Sequence, residues 1–174
     1  LVLRDLDLLK RFPKVTVSWS VNTLDEDFRA DMDKAVSIER RLEAMKQTYE
    51  AGLRTVCFVS PIFPGITDVK AIIERVCNFT DLVWLENLNL RGQFKGTIMS
   101  YVREKYPDLY PLYETIYNRK DTGYWQALER EISAYASMHG YPYRVNDLPY
   151  GRSEHGKPVI VNYFYHEKIR LNNK

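Results

Sequence analysis

Cysteine is scarce in this sequence, glycine and histidine are few, and no long apolar run occurs. Each shortage removes a class of protein. Cys57 and Cys77 are the two cysteines among 174 residues, 20 positions apart, with no second cysteine beside either. That spacing makes neither a metal motif nor a disulfide framework, so two reduced, buried thiols are expected. His139, His155 and His166 lack the spacing of metal ligands. No stretch has the length of a membrane span and no signal peptide opens the chain. A cytoplasmic protein without a membrane partner is therefore expected. The net charge of +2 is too small to argue for nucleic acid by itself. Leu1 already stands inside a helical pattern, which reads as the start of a fragment.

What is present is the composition of a globular domain, 45% apolar and 28% charged, in a chain long enough for one core. Leu1, Leu6, Leu8, Leu9 and Phe12 form the apolar set of a first helix that Pro13 stops. A strand follows over residues 15–22. Asp25, Glu26, Asp27, Asp31 and Asp33 then fill a loop read as a solvated acidic face, since it lacks the glycine and spacing of a calcium loop. Ser37 caps the next helix and Gly52 lies just past its end. "LRTVCFVSPIFPG" predicts a second strand, Asp68 caps "VKAIIERVCNF", and "DLVWLENLNL" predicts a third strand before a helix from about Thr97 to Lys105. Strands separated by helices of this length predict βαβ units and a parallel sheet over residues 1–105. A second region, 106–174, is expected to be a helical extension rich in the chain's thirteen tyrosines. Asp121 or Thr122 caps its main helix, and "KPVIVNYFYHEKIRL" supplies a terminal strand.

The first strand departs from the continuous apolar runs of strands with helices on both sides. Val17, Trp19 and Val21 alternate with Ser18, Ser20 and Asn22. Either the polar set lines a ligand cavity, or its hydroxyls are small fillers satisfied by the backbone under a helix. In parallel α/β folds chemistry gathers at the C-terminal strand ends. Those ends are Ser20 to Thr23, Ser60 to Pro64, and Glu86 to Asn89 with Arg91 after them. Alternation sets Glu86 opposite Asn87 and Asn89, so all three share a cavity only if the strand ends at Leu85.

"LVLRDLDLLKRF", "VSWSVNTLDEDFRADMD", "SIERRLEAMKQTYEAG" and "FVSPIFPGITD", taken in order within about residues 1–92, resemble the second half of radical SAM enzymes. Within that superfamily they are similar to the DNA repair photolyase-like proteins related to spore photoproduct lyase. The resemblance implies an α/β fold, the second half of a partial (β/α)6, TIM-like barrel. It also implies S-adenosylmethionine bound to a [4Fe–4S] cluster on a C-x3-C-x2-C loop, with a 5′-deoxyadenosyl radical as the reactive product. No such cysteine trio occurs here, so the cluster ligands would belong to a missing N-terminal half, the implied partner of this fragment.

Ser20-Val21-Asn22 resembles the Ser-x-Asn that ends the fourth strand in such enzymes, which makes Ser20 the first cofactor candidate, with Ser18 and Asn22 on its face. Arg41 would pair with the methionyl carboxylate, or else is an i,i+4 charge on a helix surface. Ser60 and Pro61 match the segment that passes the adenine. Glu86, Asn87, Asn89 and Arg91 are substrate-side candidates. Half a barrel would expose a sheet edge and an inner face, so self-association is expected.

"NYFYHEKIR" interleaves aromatics with Lys168 and Arg170, a mix that suits nucleic acid, an edge strand with gatekeeping charges, or a strand closing the open side of a barrel. Two further readings stand beside the radical enzyme. One is a non-catalytic interaction module. The other is a conventional α/β-barrel fragment binding phosphate or sugar, which would carry a Gly-rich turn or a catalytic lysine at a strand end, and neither follows the three strands.

Overall fold

A computed structural model describes residues 2–147 and 156–164. Five strands, β1 (Thr16–Ser20), β2 (Arg54–Ile62), β3 (Leu82–Asn87), β4 (Tyr143–Val145) and β5 (Val159–Asn162), form one sheet in the order β1-β2-β3-β5-β4. Every pairing is parallel. The helices are α1 (Leu6–Leu9), α2 (Glu26–Met32), α3 (Ile38–Glu50), α4 (Val69–Val76), α5 (Gln93–Lys105), α6 (Tyr110–Tyr117) and α7 (Gly123–His139). The expected α/β class with a parallel sheet is what the chain adopts. No helix among the described residues is long and apolar enough to cross a membrane.

Local chemistry sets the ends of these elements. Ser37 Oγ accepts the Arg40 amide at 3.4 Å, and Asp68 Oδ1 accepts the Ala71 amide at 3.0 Å. Gly52, with φ of +85°, turns the chain out of α3. Ile38, Leu42 and Met45 fall at i, i+4 and i+7, and all three are buried.

Several sequence expectations need correction. The first helix is a 3-10 turn, Val2–Asp5, running into a short α1, and Leu8 and Phe12 of its expected apolar set are exposed. The acidic loop is not all loop. Asp25 Oδ1 accepts the amides of Asp27 and Phe28 at 2.8 and 3.1 Å, which starts α2. Acids in a first turn complement the helix dipole, so Asp25, Glu26 and Asp27 form a helix start, while Asp31 and Asp33 lie at the other end of α2. The helix expected from Thr97 begins four residues earlier, at Gln93. Cys57 is buried as expected, but Cys77 is only half-buried.

The boundary expected at residue 105 is crossed by the sheet, because β4 and β5 both come from beyond it. β5 lies between β3 and β4 with all four residues buried, so it is not an edge strand. Tyr165, His166, Lys168 and Arg170, like His155, lie outside the described residues.

The register separates two faces. Trp19 pairs with Cys57, Cys57 with Val83, and Val83 with Ile160. This row joins the main core, which also takes Leu42 and Met45 from α3, Ile72 and Ile73 from α4, and Ile132 from α7. The other face runs from Ser18 to Val56, Leu82 and Val159, and from Ser20 to Phe58, Trp84 and Val161. Among the described residues its apolar cluster draws on strands alone: Val56, Leu82, Val159 and Val161, flanked by Trp84 and Tyr163. Phe58, Trp84 and Tyr163 form an aromatic ladder with successive ring centroids 5.1 Å apart.

Candidate site at the strand ends

Ser18 and Ser20 are exposed on the face away from the main core, while Trp19 packs into that core from the opposite side of β1. The filler reading of the serines, hydroxyls tucked under a helix, does not describe this strand. The Ser20 hydroxyl and the half-buried Asn22 carboxamide make no hydrogen bond to another described residue. Their backbones are fixed all the same. The Ser20 carbonyl accepts Arg41 Nη1 at 3.1 Å, and the Asn22 carbonyl accepts Thr67 Oγ1 at 2.8 Å. Thr67 Oγ1 also accepts the Phe63 amide at 2.9 Å, which ties the turn after β1 to the turn after β2.

The β2 end breaks its own alternation. Between Val59 and Ile62 the pairing with β3 shifts register, and Ile62 joins the main core fully buried. The irregularity leaves Ser60 and Pro61 half-exposed at the sheet's end, the usual service of a bulge beside a site. Ser60 Oγ donates to Glu86 Oε2 at 2.8 Å, linking β2 to β3.

Two neighbouring cavities open over these ends. One of about 460 Å3 is bordered by Ser20, Asn22, Arg41, Phe63, Phe94 and Ile98. The other, of about 540 Å3, is bordered by Glu86, Asn87, Tyr117, Lys120, Asp121 and Trp125. They share Ser60, Pro61 and the segment Leu88 to Arg91. Of the ten sequence candidates, nine line one or both cavities, and Ser18 lines neither. Glu86, Asn87 and Asn89 all line the larger cavity although β3 runs to Asn87. The condition set by strict alternation fails because the cavity sits across the end of the sheet, where side chains of both faces reach it.

Arg41 behaves as neither expectation described. Its side chain is 10% exposed, and Nη2 bonds both oxygens of Asp33 at 2.8 and 2.9 Å. Nε donates to the Val36 carbonyl at 2.9 Å. The fork suited to a ligand carboxylate is already occupied by the protein's own, so Arg41 forms wall and not surface charge. Burial alone would push the Asp33 carboxyl up. The bond from Arg41, the Ala35 amide, and the charges of Arg41 and Arg29 outweigh it and hold Asp33 below the usual carboxylate range.

Sequence reasoning missed Asp33, Phe94 and the whole contribution of the α6–α7 turn. Phe94, 77% exposed at the start of α5, was legible only as an unexplained aromatic between Gly92 and Gly96.

Residues 1–76 match the Radical SAM superfamily. The matched stretch supplies β1, α3, β2 and α4, and with them Ser20, Asn22, Arg41, Ser60 and Pro61. An uncharacterized protein of Methanocaldococcus jannaschii is 36% identical over 115 residues, covering 64% of this chain and 43% of that relative. An uncharacterized protein of Acidianus two-tailed virus is 34% identical over 115 residues, covering 60% of this chain and 38% of that relative. The chain thus spans about two fifths of the length of the curated relatives it matches. No solved structure matches it significantly.

The superfamily implies two groups, and the chain fits one of them. An S-adenosylmethionine site suits the smaller cavity, where an unpartnered hydroxyl and carboxamide stand beside apolar Phe63, Phe94 and Ile98. A [4Fe–4S] cluster does not suit these residues. Cys57 is wholly buried in the main core, where burial pushes its thiol up to about 12, away from the thiolate a cluster needs. Cys77 lies at the end of α4, and no group of three or more His, Cys, Asp or Glu among the described residues could hold a metal.

Proposed function

We propose that this chain is the S-adenosylmethionine-binding part of a cytoplasmic radical SAM enzyme. The observation that carries the reading is a coincidence of place. The segment matching the superfamily is also the segment that builds the wall of the 460 Å3 cavity with free polar groups. Ser20 Oγ and the Asn22 carboxamide would bond the polar groups of the ligand, and Phe63 and Phe94 would flank its flat apolar parts. With a cluster bound as well, S-adenosylmethionine would supply a 5′-deoxyadenosyl radical for hydrogen abstraction. The thiolates for that cluster would come from outside these 174 residues, since two cysteines cannot fill the set.

On this reading the sheet is the second half of a partial barrel. Ser18, Ser20 and the Phe58–Trp84–Tyr163 ladder would then face its interior, and a segment bearing three cysteines would be the partner. The finer proposal, a lyase acting on damaged nucleic acid, is supported by the resemblance of the strand-end motifs to spore photoproduct lyase-like enzymes.

Calorimetric titration of S-adenosylmethionine into the chain and its Ser20→Ala variant tests the reading. Saturable one-to-one binding, weakened about five- to tenfold in the variant, is expected for the loss of one hydrogen bond. Absence of binding, or equal affinity in the variant, would remove Ser20 from any such site.

A further inference from the structure

One wall of the 540 Å3 cavity is the α6–α7 turn, and that turn holds a lysine in a conformation lysine rarely adopts. Lys120 has φ of +59°, in the left-handed region where a Cβ crowds the backbone. Glycine would occupy that position without strain. The turn is bound at both ends. The Tyr117 carbonyl accepts Lys95 Nζ at 2.8 Å, and the Tyr117 hydroxyl donates to the Leu88 carbonyl at 3.1 Å. Beyond Lys120, the Asp121 amide donates to the Thr115 carbonyl at 3.1 Å, and Asp121 Oδ1 accepts the Gly123 amide at 2.6 Å. The surroundings therefore impose the left-handed residue, and a strained side chain kept at a cavity wall points to a task for that side chain.

The task follows from charge. Lys120 is exposed and makes no hydrogen bond or ion pair to another described residue. Arg91 lines the same cavity. The two acids of the wall each have a donor of their own: Glu86 is bonded by Ser60, and Asp121 by the Gly123 amide. Between these groups the wall sets apolar Ile116, Leu88 and Trp125 beside the polar Asn87 and Asn89.

We propose that Lys120, together with Arg91, reads an anionic oxygen group on the substrate, a phosphate or a carboxylate. The larger cavity then takes a substrate with an anionic end and a body that meets both apolar and amide groups. Calling its occupant the substrate rests on the reading of the smaller cavity as the S-adenosylmethionine site. The Lys120 ammonium acts as a point charge for either anion.

Backbone amide shifts recorded by NMR during separate titrations with inorganic phosphate and with acetate test this. At least one ion should shift residues 86–91 and 117–123 saturably, and the tighter one identifies the substrate's group. Lys120→Gly should weaken that binding about fivefold or more, as loss of a partly exposed charge pair would. Its Tm should be no lower than the parent's, because the left-handed strain is gone. Lys120→Arg should bind within about twofold of the parent. If neither ion shifts these amides, or if Lys120→Gly binds as well as the parent, the proposal is overturned. A parallel titration with S-adenosylmethionine separates the two readings. Failure there with ion binding still dependent on Lys120 overturns the cofactor site and leaves the anion site standing.

Discussion

The two faces of the sheet differ in what covers them, and the difference begins in β1. On one face Trp19, Cys57, Val83 and Ile160 meet the apolar stripes of α3, α4 and α7. On the other, exposed Ser18 and Ser20 lead into the Phe58–Trp84–Tyr163 ladder. The first face is where burial makes the fold stable. The second keeps the Ser18 and Ser20 hydroxyls without a partner among the described residues and runs up to the two cavities at the strand ends. A strand that alternates between helices is thus explained by helices that, among the described residues, pack on one side of it only.

Substitutions on the two faces should therefore separate stability from binding. The largest effect is expected at Leu85→Ala in the main core, where a fully buried side chain is lost. Denaturant unfolding should show a loss of about 3 kcal/mol, and a loss below about 1 kcal/mol would mean that this face is not tightly packed.

Next in size is Asp33→Asn, which leaves the Arg41 fork without its carboxylate. Asp33 is 37% exposed, so solvent screening reduces the cost to about 1–2 kcal/mol. Because the folded state holds the Asp33 carboxyl low, its contribution is present above the ordinary carboxylate range and is lost as pH falls through the folded value. Thermal unfolding of the parent should weaken below about pH 4, and Asp33→Asn should flatten that part of the profile. An unchanged slope would detach Asp33 from the acid transition.

Phe94→Ala should leave unfolding within about 0.5 kcal/mol of the parent, because the ring is 77% exposed. It should nevertheless weaken S-adenosylmethionine binding several-fold if the ring flanks the ligand. Smallest of all is Ser18→Ala, which should change neither stability, beyond about 0.5 kcal/mol, nor cofactor affinity, since Ser18 lines neither cavity. A clear loss of affinity there would extend the site down the strand.

How much of this was legible depended on the range of each signal. The two sides of β1 follow from period-two alternation, and the caps at Ser37 and Asp68 from residues a few positions apart. The partner of Arg41 escaped because Asp33 lies eight residues upstream, before α3, beyond the i,i+4 window of a helix surface. Alternation failed at Ser60 and Pro61 because one irregularity resets the register, and nothing local marks its position except the proline. β4 was missed because three residues carry no measurable period, and they follow a left-handed Gly140 that reads simply as a helix stop. The place of β5 inside the sheet was illegible for a different reason, since strand order depends on long-range packing.

The central claim is that the free polar groups beside the 460 Å3 cavity bind S-adenosylmethionine. A map of backbone amide shifts during titration of that ligand tests it most directly. Shifts should saturate together and gather at residues 20–22, 60–63 and 88–94, leaving Leu42, Met45 and Ile73 on the helix-covered face unmoved. No saturable shift, or shifts centred on that covered face, would contradict the account.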